Sequence, residues 1–290
     1  MSAHPDHGKI SFTAKLVAYY RMFSDIPFAK DIAEYIGAEQ AHDSLFKHTG
    51  QERDELMEYA PILEARYKSI LNLISELGIR QVLELASGFS LRGLAMTQDL
   101  SISYIDTDLA DLNAIKLKLI ADLRSKYGIK DTGNYHIATA NALDLPQLQS
   151  ASRQFRRDQP IAIVNEGLII YFSVAERELL ARNIHALLND FGGVWITPDF
   201  STKTDAKDST PGRRRFRQAV TGLTERTCMS AAFETDQQMG DFFAEMGFQA
   251  ERRYQMDESA NLTSMDALAL SPQIIERERP ELKIWVLRAI

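Results

Sequence analysis

A stretch of alternating apolar and small residues carries the residue types that bind a nucleoside. Gly88 follows the apolar run 82–85, and a second apolar run, 102–105, ends at Asp106 and Asp108. A glycine between a strand and a helix lets a ligand approach the backbone closely, and an acid about 20 residues further on can accept hydrogen bonds from ribose hydroxyls. The pattern predicts that Gly88 and Asp108 bind a nucleoside. Asp106 is the competing acid, and capping of the next helix is the other role open to Asp108.

The turn after the first run argues against a dinucleotide. The motif G-x-G-x-x-G places amides against a pyrophosphate, but Ala86 and Leu91 stand at its first and third glycine positions. Glu84 precedes the turn, where a carboxylate would repel a pyrophosphate and would suit a cationic ligand. S-adenosylmethionine has an ammonium, a sulfonium and a ribose but no phosphate, so we predict it as the cofactor. The alternative is a Rossmann-like turn in an unrelated α/β protein.

Apolar runs of strand length alternate with segments of helical periodicity along the chain. This order predicts an α/β fold with a Rossmann-like, doubly wound seven-stranded sheet whose last strands are antiparallel. Ligands bind such a sheet at the carboxyl ends of its strands, where the strand order switches. The exits of the first four strands should therefore line one cleft. The predicted strands are 82–85, 102–105, 135–139, 161–165, 194–197, 248–254 and 282–289, and the four exits are 86–88, 106–108, 141–143 and 166–167.

Helical patterns precede the first strand and predict a separate N-terminal segment. They cover 13–23, 28–36 and an amphipathic stretch from Pro61 to Leu77 that Gly78 ends. Residues 1–10 are predicted to be a loose tail, and 38–50 show no helical pattern. We predict two units: residues 1–78, a helical lid packed on the core, and residues 79–290, a cofactor-binding domain with polar inserts at 201–231 and 255–280.

Composition narrows the class of protein. The 290 residues are 45% hydrophobic and 25% charged, which is typical of soluble globular proteins. A net charge of −7 argues against sequence-independent binding to nucleic acid. With Cys228 as the single cysteine and histidines without metal-ligand spacing outside the N-terminal tail, we predict no metal site. The first ten residues have no apolar signal core, so the expected location is the cytoplasm, without membrane contact. The sequence leaves the oligomeric state open.

Several further motifs occur in a fixed order along residues 11–200. They are Thr13-Ala14 with Ala18 and Arg21, Asp31 to Ala33, Arg66, the segment LASGFSLR from Leu85 to Arg92, Asp108 to Lys116, and Glu166-Gly167 with Tyr171-Phe172. Together they resemble the leucine carboxyl methyltransferase family of class I S-adenosylmethionine-dependent methyltransferases, including its bacterial branch of polyketide-type O-methyltransferases. Ala86 and Ser90 replace a glycine and an aspartate of the family motif L-G-A-G-L-D-T-R, in a form similar to that of some bacterial members.

The resemblance implies a cofactor site. It implies that Arg66 holds the carboxylate of S-adenosylmethionine, that Glu166 lies near its ammonium and sulfonium, and that Asn141 or the backbone of Ala142 meets the adenine. With the residues of the turn, the predicted cofactor-binding set is Arg66, Glu84, Ala86, Gly88, Asp108, Asn141, Ala142 and Glu166. The product would be S-adenosylhomocysteine, and no metal would take part.

The reaction implied is methyl transfer to a hydroxyl or carboxylate of a small molecule. Glu166 and Tyr171 are the predicted catalytic residues. A carboxylate acceptor needs no base, whereas a hydroxyl must lose a proton, which Glu166, Tyr171 or Asp199 would assist. The predicted substrate residues are Arg21, Tyr171, Asp199 and Arg214. Arg214 belongs to a basic run for which the alternative interpretation is a solvent-exposed face. Alternative functions are a non-catalytic cofactor-binding protein, a protein C-terminal carboxyl methyltransferase and a nicotinamide oxidoreductase.

Overall fold

A seven-stranded sheet forms the centre of the computed structural model, which describes residues 7–49, 56–203 and 232–290. Its strands are β1 (Gln81–Leu85), β2 (Ser103–Asp108), β3 (Tyr135–Thr139), β4 (Ile161–Asn165), β5 (Gly193–Thr197), β6 (Phe248–Tyr254) and β7 (Lys283–Ala289). They lie in the order β3-β2-β1-β4-β5-β7-β6. β7 runs antiparallel to β5 and β6, and the other neighbouring pairs are parallel. The predicted doubly wound sheet with antiparallel last strands is confirmed.

Helices surround the sheet. Before it lie α1 (His7–Arg21), α2 (Ala29–Tyr35), α3 (Ala38–Thr49) and α4 (Tyr59–Glu76). Within the alternating part lie α5 (Arg92–Met96), α6 (Ala110–Tyr127), α7 (Leu145–Ala151), α8 (Val174–Phe191) and α9 (Asp236–Glu245). The insert before β7 holds α10 (Gln255–Glu258), α11 (Thr263–Ala267) and α12 (Gln273–Glu278).

The central strands are buried on both faces. All residues of β1 and β4 are buried, as expected for parallel strands covered by helices on both sides. Successive side chains of β1 enter different cores, because side chains alternate across a strand. Val82 belongs to the cluster that contains Leu63 of α4, and Leu83 belongs to the cluster that contains Leu180 of α8. The strand order switches between β1 and β4, which places the predicted cleft at their carboxyl ends.

Three local predictions need correction. The second strand, predicted to end at residue 105, continues to Asp108. Residues 106–108 pair with β3, and their polar side chains form hydrogen bonds within the protein. Residues 38–49 form α3, although no helix was predicted there. Its buried residues include His42, whose ring stacks on Tyr19. Because a histidine occupies a buried position, the sequence lacks the apolar periodicity that would have predicted this helix. Residues 7–10 belong to α1 instead of a loose tail, and residues 1–6 lie outside the described part.

Helix α4 is joined to the insert before β7 by a buried carboxylate. Glu64 has no exposed surface and accepts hydrogen bonds of 2.9 Å from the backbone N–H groups of Thr263 and Ser264, at the start of α11. Ile62 of the same helix shares an apolar cluster with Met256 of the insert. The division at residue 78 remains a prediction, and these contacts join the two predicted units.

Candidate functional site

A cavity of about 830 Å³ opens at the carboxyl ends of the first five strands. Helices α1 and α4 form its roof, and residues of the insert and of β7 close its far end. Arg214 lies outside the described residues. Every other predicted site residue lines the cavity: Arg21, Arg66, Glu84, Ala86, Gly88, Asp108, Asn141, Ala142, Glu166, Tyr171 and Asp199. The structure therefore brings together residues that are up to 178 positions apart in the sequence, from 21 to 199.

The turn after β1 is tied to the acid at the end of β2. Gly88 has φ of 52° and donates its N–H to Asp108 Oδ2 at 2.8 Å. The N–H of Leu109 donates to the other oxygen of Asp108, also at 2.8 Å. Asp108 therefore accepts a backbone hydrogen bond at each of its carboxylate oxygens and ties the turn after β1 to the end of β2.

Asp106, the competing acid, lies behind the cavity wall. It has no exposed surface, and Lys116 Nζ and the hydroxyl of Tyr135 each lie 2.5 Å from its Oδ2 atom. Burial raises the pKa of Asp106 to about 6, although the positive charge of Lys116 opposes the shift. Its position in a closed network favours Asp108 as the acid that meets a ligand.

A chain of ion pairs runs under the turn to the exit of β4. Arg92, which is fully buried, contacts Glu84 through one guanidinium nitrogen and lies 2.9 Å from Glu166 through another. Tyr104 donates its hydroxyl to Glu84 at 2.6 Å. Glu84 was predicted to face a cationic ligand group, but its carboxylate is committed to Arg92 and Tyr104 within the protein. Sequence reasoning missed Arg92 as part of the site, although it stands in the motif that carries the family resemblance.

Glu166 connects this network to the N-terminal helices. Its other carboxylate oxygen pairs with Arg21 of α1, whose Nε also donates to the carbonyl of Leu63 at 3.3 Å. Burial alone would raise the pKa of Glu166, but the charges of Arg21 and Arg92 outweigh burial and lower it below the usual value. Glu166 therefore stays ionised near neutral pH and is a weak proton acceptor.

Asp199 holds the loop after β4. Its carboxylate accepts hydrogen bonds from three successive backbone N–H groups, those of residues 167–169, at 2.7, 2.7 and 3.1 Å. The side-chain amide of Asn165 donates to it as well, at 2.8 Å. Burial raises the pKa of Asp199. Oδ2 accepts three of these hydrogen bonds and Oδ1 accepts one, so Asp199 fixes the loop that carries Glu166 and Tyr171. Its role in proton removal or substrate binding stays a prediction.

Three buried polar atoms in the cavity wall lack a hydrogen-bond partner among the described residues: Arg66 Nε, the hydroxyl oxygen of Tyr67 and Gln255 Oε1. Gln255 is 1% exposed and donates its Nε2 to the carbonyl of Lys283 at 2.7 Å, so only its Oε1 is unmet. An unmet buried group costs about 1–3 kcal/mol, so all three are candidates for ligand contacts. No pattern in the sequence points to Gln255.

The charges around the cavity favour a cationic ligand. In the part of the chain that the structure describes, six carboxylates line the cavity against three cationic side chains, and no histidine lines it. An excess of negative charge attracts a ligand of positive net charge. The carboxylates belong to Glu84, Asp108, Glu166, Glu176, Asp199 and Glu281, and the cations to Arg21, Arg66 and Lys283.

The described residues contain no candidate metal centre. Within residues 7–49, 56–203 and 232–290, no group of three or more His, Cys, Asp or Glu side chains is placed to hold a metal ion. Over the same residues, the helices are too short or too polar to cross a bilayer.

The sequence matches the leucine carboxyl methyltransferase family over residues 20–185, more than half of the chain. No curated protein matches the sequence. The chain therefore belongs to the leucine carboxyl methyltransferase family of S-adenosylmethionine-dependent enzymes.

Solved structures with a similar fold include a DUF574 family protein from Streptomyces avermitilis. That protein is 14% identical, with a TM-score of 0.58 and coverage of 96% of this chain and 97% of the other. An O-methyltransferase family protein from Burkholderia thailandensis is 12% identical, with a TM-score of 0.50 and coverage of 89% and 72%. A proposed O-methyltransferase from Nostoc punctiforme is 15% identical, with a TM-score of 0.48; 81% of this chain matches 60% of its length. At these identities the likeness to the Streptomyces avermitilis and Burkholderia thailandensis proteins shows the fold alone.

Proposed function

We propose that this member of the leucine carboxyl methyltransferase family transfers the methyl group of S-adenosylmethionine to a hydroxyl or carboxylate oxygen of a small molecule. The observation that carries the proposal is one cavity lined both by the strand ends and by residues of α1, α4 and the insert, the part of the lining that we call the arm. Its volume of about 830 Å³ lies in the upper part of the range for small-molecule sites, roughly 300–1,000 Å³. That size supports a cofactor and an acceptor bound side by side.

The donor set fits the cofactor. We assign the ribose hydroxyls to Asp108, close backbone approach to Ala86 and Gly88, and the adenine to Asn141 or the backbone of Ala142. The buried Nε of Arg66 has no hydrogen-bond partner among the described residues, which supports its assignment to the methionine carboxylate through charge-assisted hydrogen bonds. The excess of carboxylates around the cavity suits the net positive charge of S-adenosylmethionine.

Orientation is the main contribution that these side chains can make to the reaction. When bound, S-adenosylmethionine supplies a methyl group already activated on a sulfonium, which an acceptor oxygen attacks in line. Glu166, fixed by Arg21 and Arg92, would hold the ammonium end so that the methyl group points toward the acceptor arm. Tyr171, in the short 3₁₀ turn Ile169–Tyr171 that Asp199 holds, would contact the acceptor oxygen.

The state of the acidic groups favours an acceptor that is already ionised. The pKa of Glu166 is lowered, four donors hold the carboxylate of Asp199 in place, and no histidine among the described residues lines the cavity. A neutral alcohol needs a base for proton removal, whereas a carboxylate does not. We therefore place a carboxylate before a hydroxyl as the methylated group.

The far arm supports an acceptor with an apolar body. Val17, Ile26 and Ile62 line it, and the unmet Oε1 of Gln255 lies in the same cavity wall. A hydrogen-bond donor on the acceptor would satisfy this oxygen.

Two measurements test the proposed function. S-adenosylhomocysteine should raise the melting temperature, because a ligand at about 100 times its Kd adds roughly 2.7 kcal/mol; NAD should not. Isotope-labelled S-adenosylmethionine is then offered with aromatic carboxylic acids, the matching phenols and a peptide with a free C-terminal carboxylate. Label should enter the small carboxylic acids first, and Arg66→Met should lose both the melting shift and the transfer.

The results separate the competing functions. Stabilisation by NAD alone would contradict the cofactor assignment. A melting shift without transfer to any acceptor would favour a non-catalytic cofactor-binding protein, and labelling of the peptide alone would favour a protein carboxyl methyltransferase.

A further inference from the structure

The turn that approaches the cofactor site has an unfavourable backbone conformation. Ala86 has φ of 49° and Gly88 has φ of 52°, on either side of Ser87. A residue with a Cβ atom adopts the left-handed region only where its surroundings hold it there. The shape of this turn therefore depends on the contacts that anchor it.

Three anchors hold the turn. The N–H of Ser87 donates to the carbonyl of Thr107 at 2.9 Å, and the N–H of Gly88 donates to Asp108. The third anchor is a side-chain contact: Lys116 Nζ donates to the hydroxyl oxygen of Ser87 at 2.9 Å. Ser87 lines the cavity, whereas Lys116 does not.

Stability alone does not account for Lys116. Its side chain on α6 has no exposed surface, and its ammonium lies 2.5 Å from Asp106 Oδ2. Removing two charges from water costs several kcal/mol per ion, and apolar residues of similar volume often replace a buried ion pair without loss of stability. What an apolar residue cannot provide is the hydrogen bond to Ser87.

We propose that Lys116 is a positioning residue for the cofactor, whose ammonium, oriented by Asp106, holds Ser87 and thereby fixes the turn at Gly88 in the shape that receives the adenosyl group. The inference rests on the proposed assignment of Gly88 and Asp108 to S-adenosylmethionine. Lys116 acts through Ser87, so the loss of either group should remove the same anchor.

A double-mutant cycle tests this dependence. S-adenosylhomocysteine is titrated by calorimetry into the full chain carrying Ser87→Ala, Lys116→Met or both. Each single change should weaken binding by about tenfold, the usual range for a hydrogen bond to a charged group. The double variant should bind no more weakly than Lys116→Met, because groups that act as one unit are not additive. In turnover, the KM for S-adenosylmethionine should rise while kcat stays close to that of the wild type.

Matched controls separate positioning from general destabilisation. Ser152→Ala removes a buried hydroxyl that donates to the carbonyl of Leu148 at 2.8 Å, remote from the turn, and Lys118→Met removes an exposed lysine from the same helix as Lys116. Both should bind S-adenosylhomocysteine as the wild type does.

The outcomes test the proposed function and the role of Lys116 separately. A wild type that does not bind S-adenosylhomocysteine would contradict the proposed function. A wild type that binds it, with unchanged affinity in Ser87→Ala or with losses that multiply in the double variant, would overturn the role of Lys116. If Lys116→Met does not fold, the affinity of Ser87→Ala alone decides.

Discussion

The two ends of the cavity satisfy their polar groups in opposite ways. Around the turn after β1, charges pair within the protein: Glu84 with Arg92, and Asp106 with Lys116. At the far end, apolar side chains dominate the arm, and Gln255 keeps an unmet buried oxygen. The first end holds its charged groups in ion pairs, whereas the second is mostly apolar and presents a buried amide oxygen that a ligand can satisfy.

This difference matches the demands of the two proposed ligands. Preformed and mutually supported polar groups suit one constant ligand, because little ordering remains to be done on binding. An apolar arm selects among acceptors mainly through its few polar groups. An acceptor that lacks the matching donor or acceptor atom leaves such a buried group unpaired and binds more weakly. Variants at the first end should therefore change cofactor binding, and variants at the second end should change acceptor binding.

The largest effect is expected for Asp108→Ala. Two lost hydrogen bonds from ribose hydroxyls to a charged acceptor, at roughly 1.5–3 kcal/mol each, should weaken binding of S-adenosylhomocysteine by at least about 100-fold. Calorimetry measures the affinity, and thermal melting checks that the fold remains. Asp111→Ala, which removes an exposed acid in the first turn of the same helix, is the matched control. Wild-type affinity in Asp108→Ala would leave Asp108 as a capping residue and would break the comparison.

A second, smaller effect is expected in the pH dependence of stability. Burial raises the pKa of Asp106 to about 6, with Lys116, Tyr135 and Glu84 facing it from α6, β3 and β1. The folded protein therefore holds this proton more tightly than the unfolded chain, and the resulting stabilisation is lost as the pH rises from about 4 through 6.

Asp106→Asn tests that sign. The free energy of unfolding of the wild type, relative to Asp106→Asn, should fall by about 2 kcal/mol between pH 4 and pH 7. Denaturant unfolding at several pH values measures the difference, in which the other titrating groups largely cancel. If the free energy of unfolding of the wild type relative to Asp106→Asn stayed constant or rose with pH, the pKa of Asp106 would not be raised, which would contradict the prediction.

The smallest effect is expected for Gln255→Leu at the far end. Loss of one hydrogen bond to the acceptor, about 1 kcal/mol, should raise the KM for the acceptor by about fivefold and leave the KM for S-adenosylmethionine unchanged. Gln273→Leu, at an exposed position of the same insert, should alter neither. If Gln255→Leu changed the KM for S-adenosylmethionine instead, the two ends would not be independent.

Local signals were sufficient to predict the sheet and the place of the cavity. Apolar runs of strand length predicted each strand to within a few residues. The exits of the first four strands were expected to line one cleft, and Gly88, Asp108, Asn141 and Glu166 all line the cavity. Such signals lie within one βαβ unit, where chain connectivity fixes the geometry.

Contacts between distant segments could not be predicted. Arg21 and Glu166 are 145 residues apart, and Arg92 and Glu166 are 74 apart. No periodicity links such positions, so the sequence showed acids and bases without their pairing. For the same reason the pairing of Glu84 with Arg92 was not predicted, and Gln255 was not noticed.

The link made by Glu64 limits how the parts of this protein can be exchanged. Its carboxylate joins α4, which also carries Arg66, to amides at residues 263 and 264, about 200 positions along the chain. A chimaera whose foreign insert placed its backbone differently at residues 263 and 264 would leave this buried carboxylate short of donors, at a cost of about 1–3 kcal/mol. Helix α4 and the insert are therefore structurally coupled, and a change of acceptor preference by exchange of segments requires that both be exchanged together.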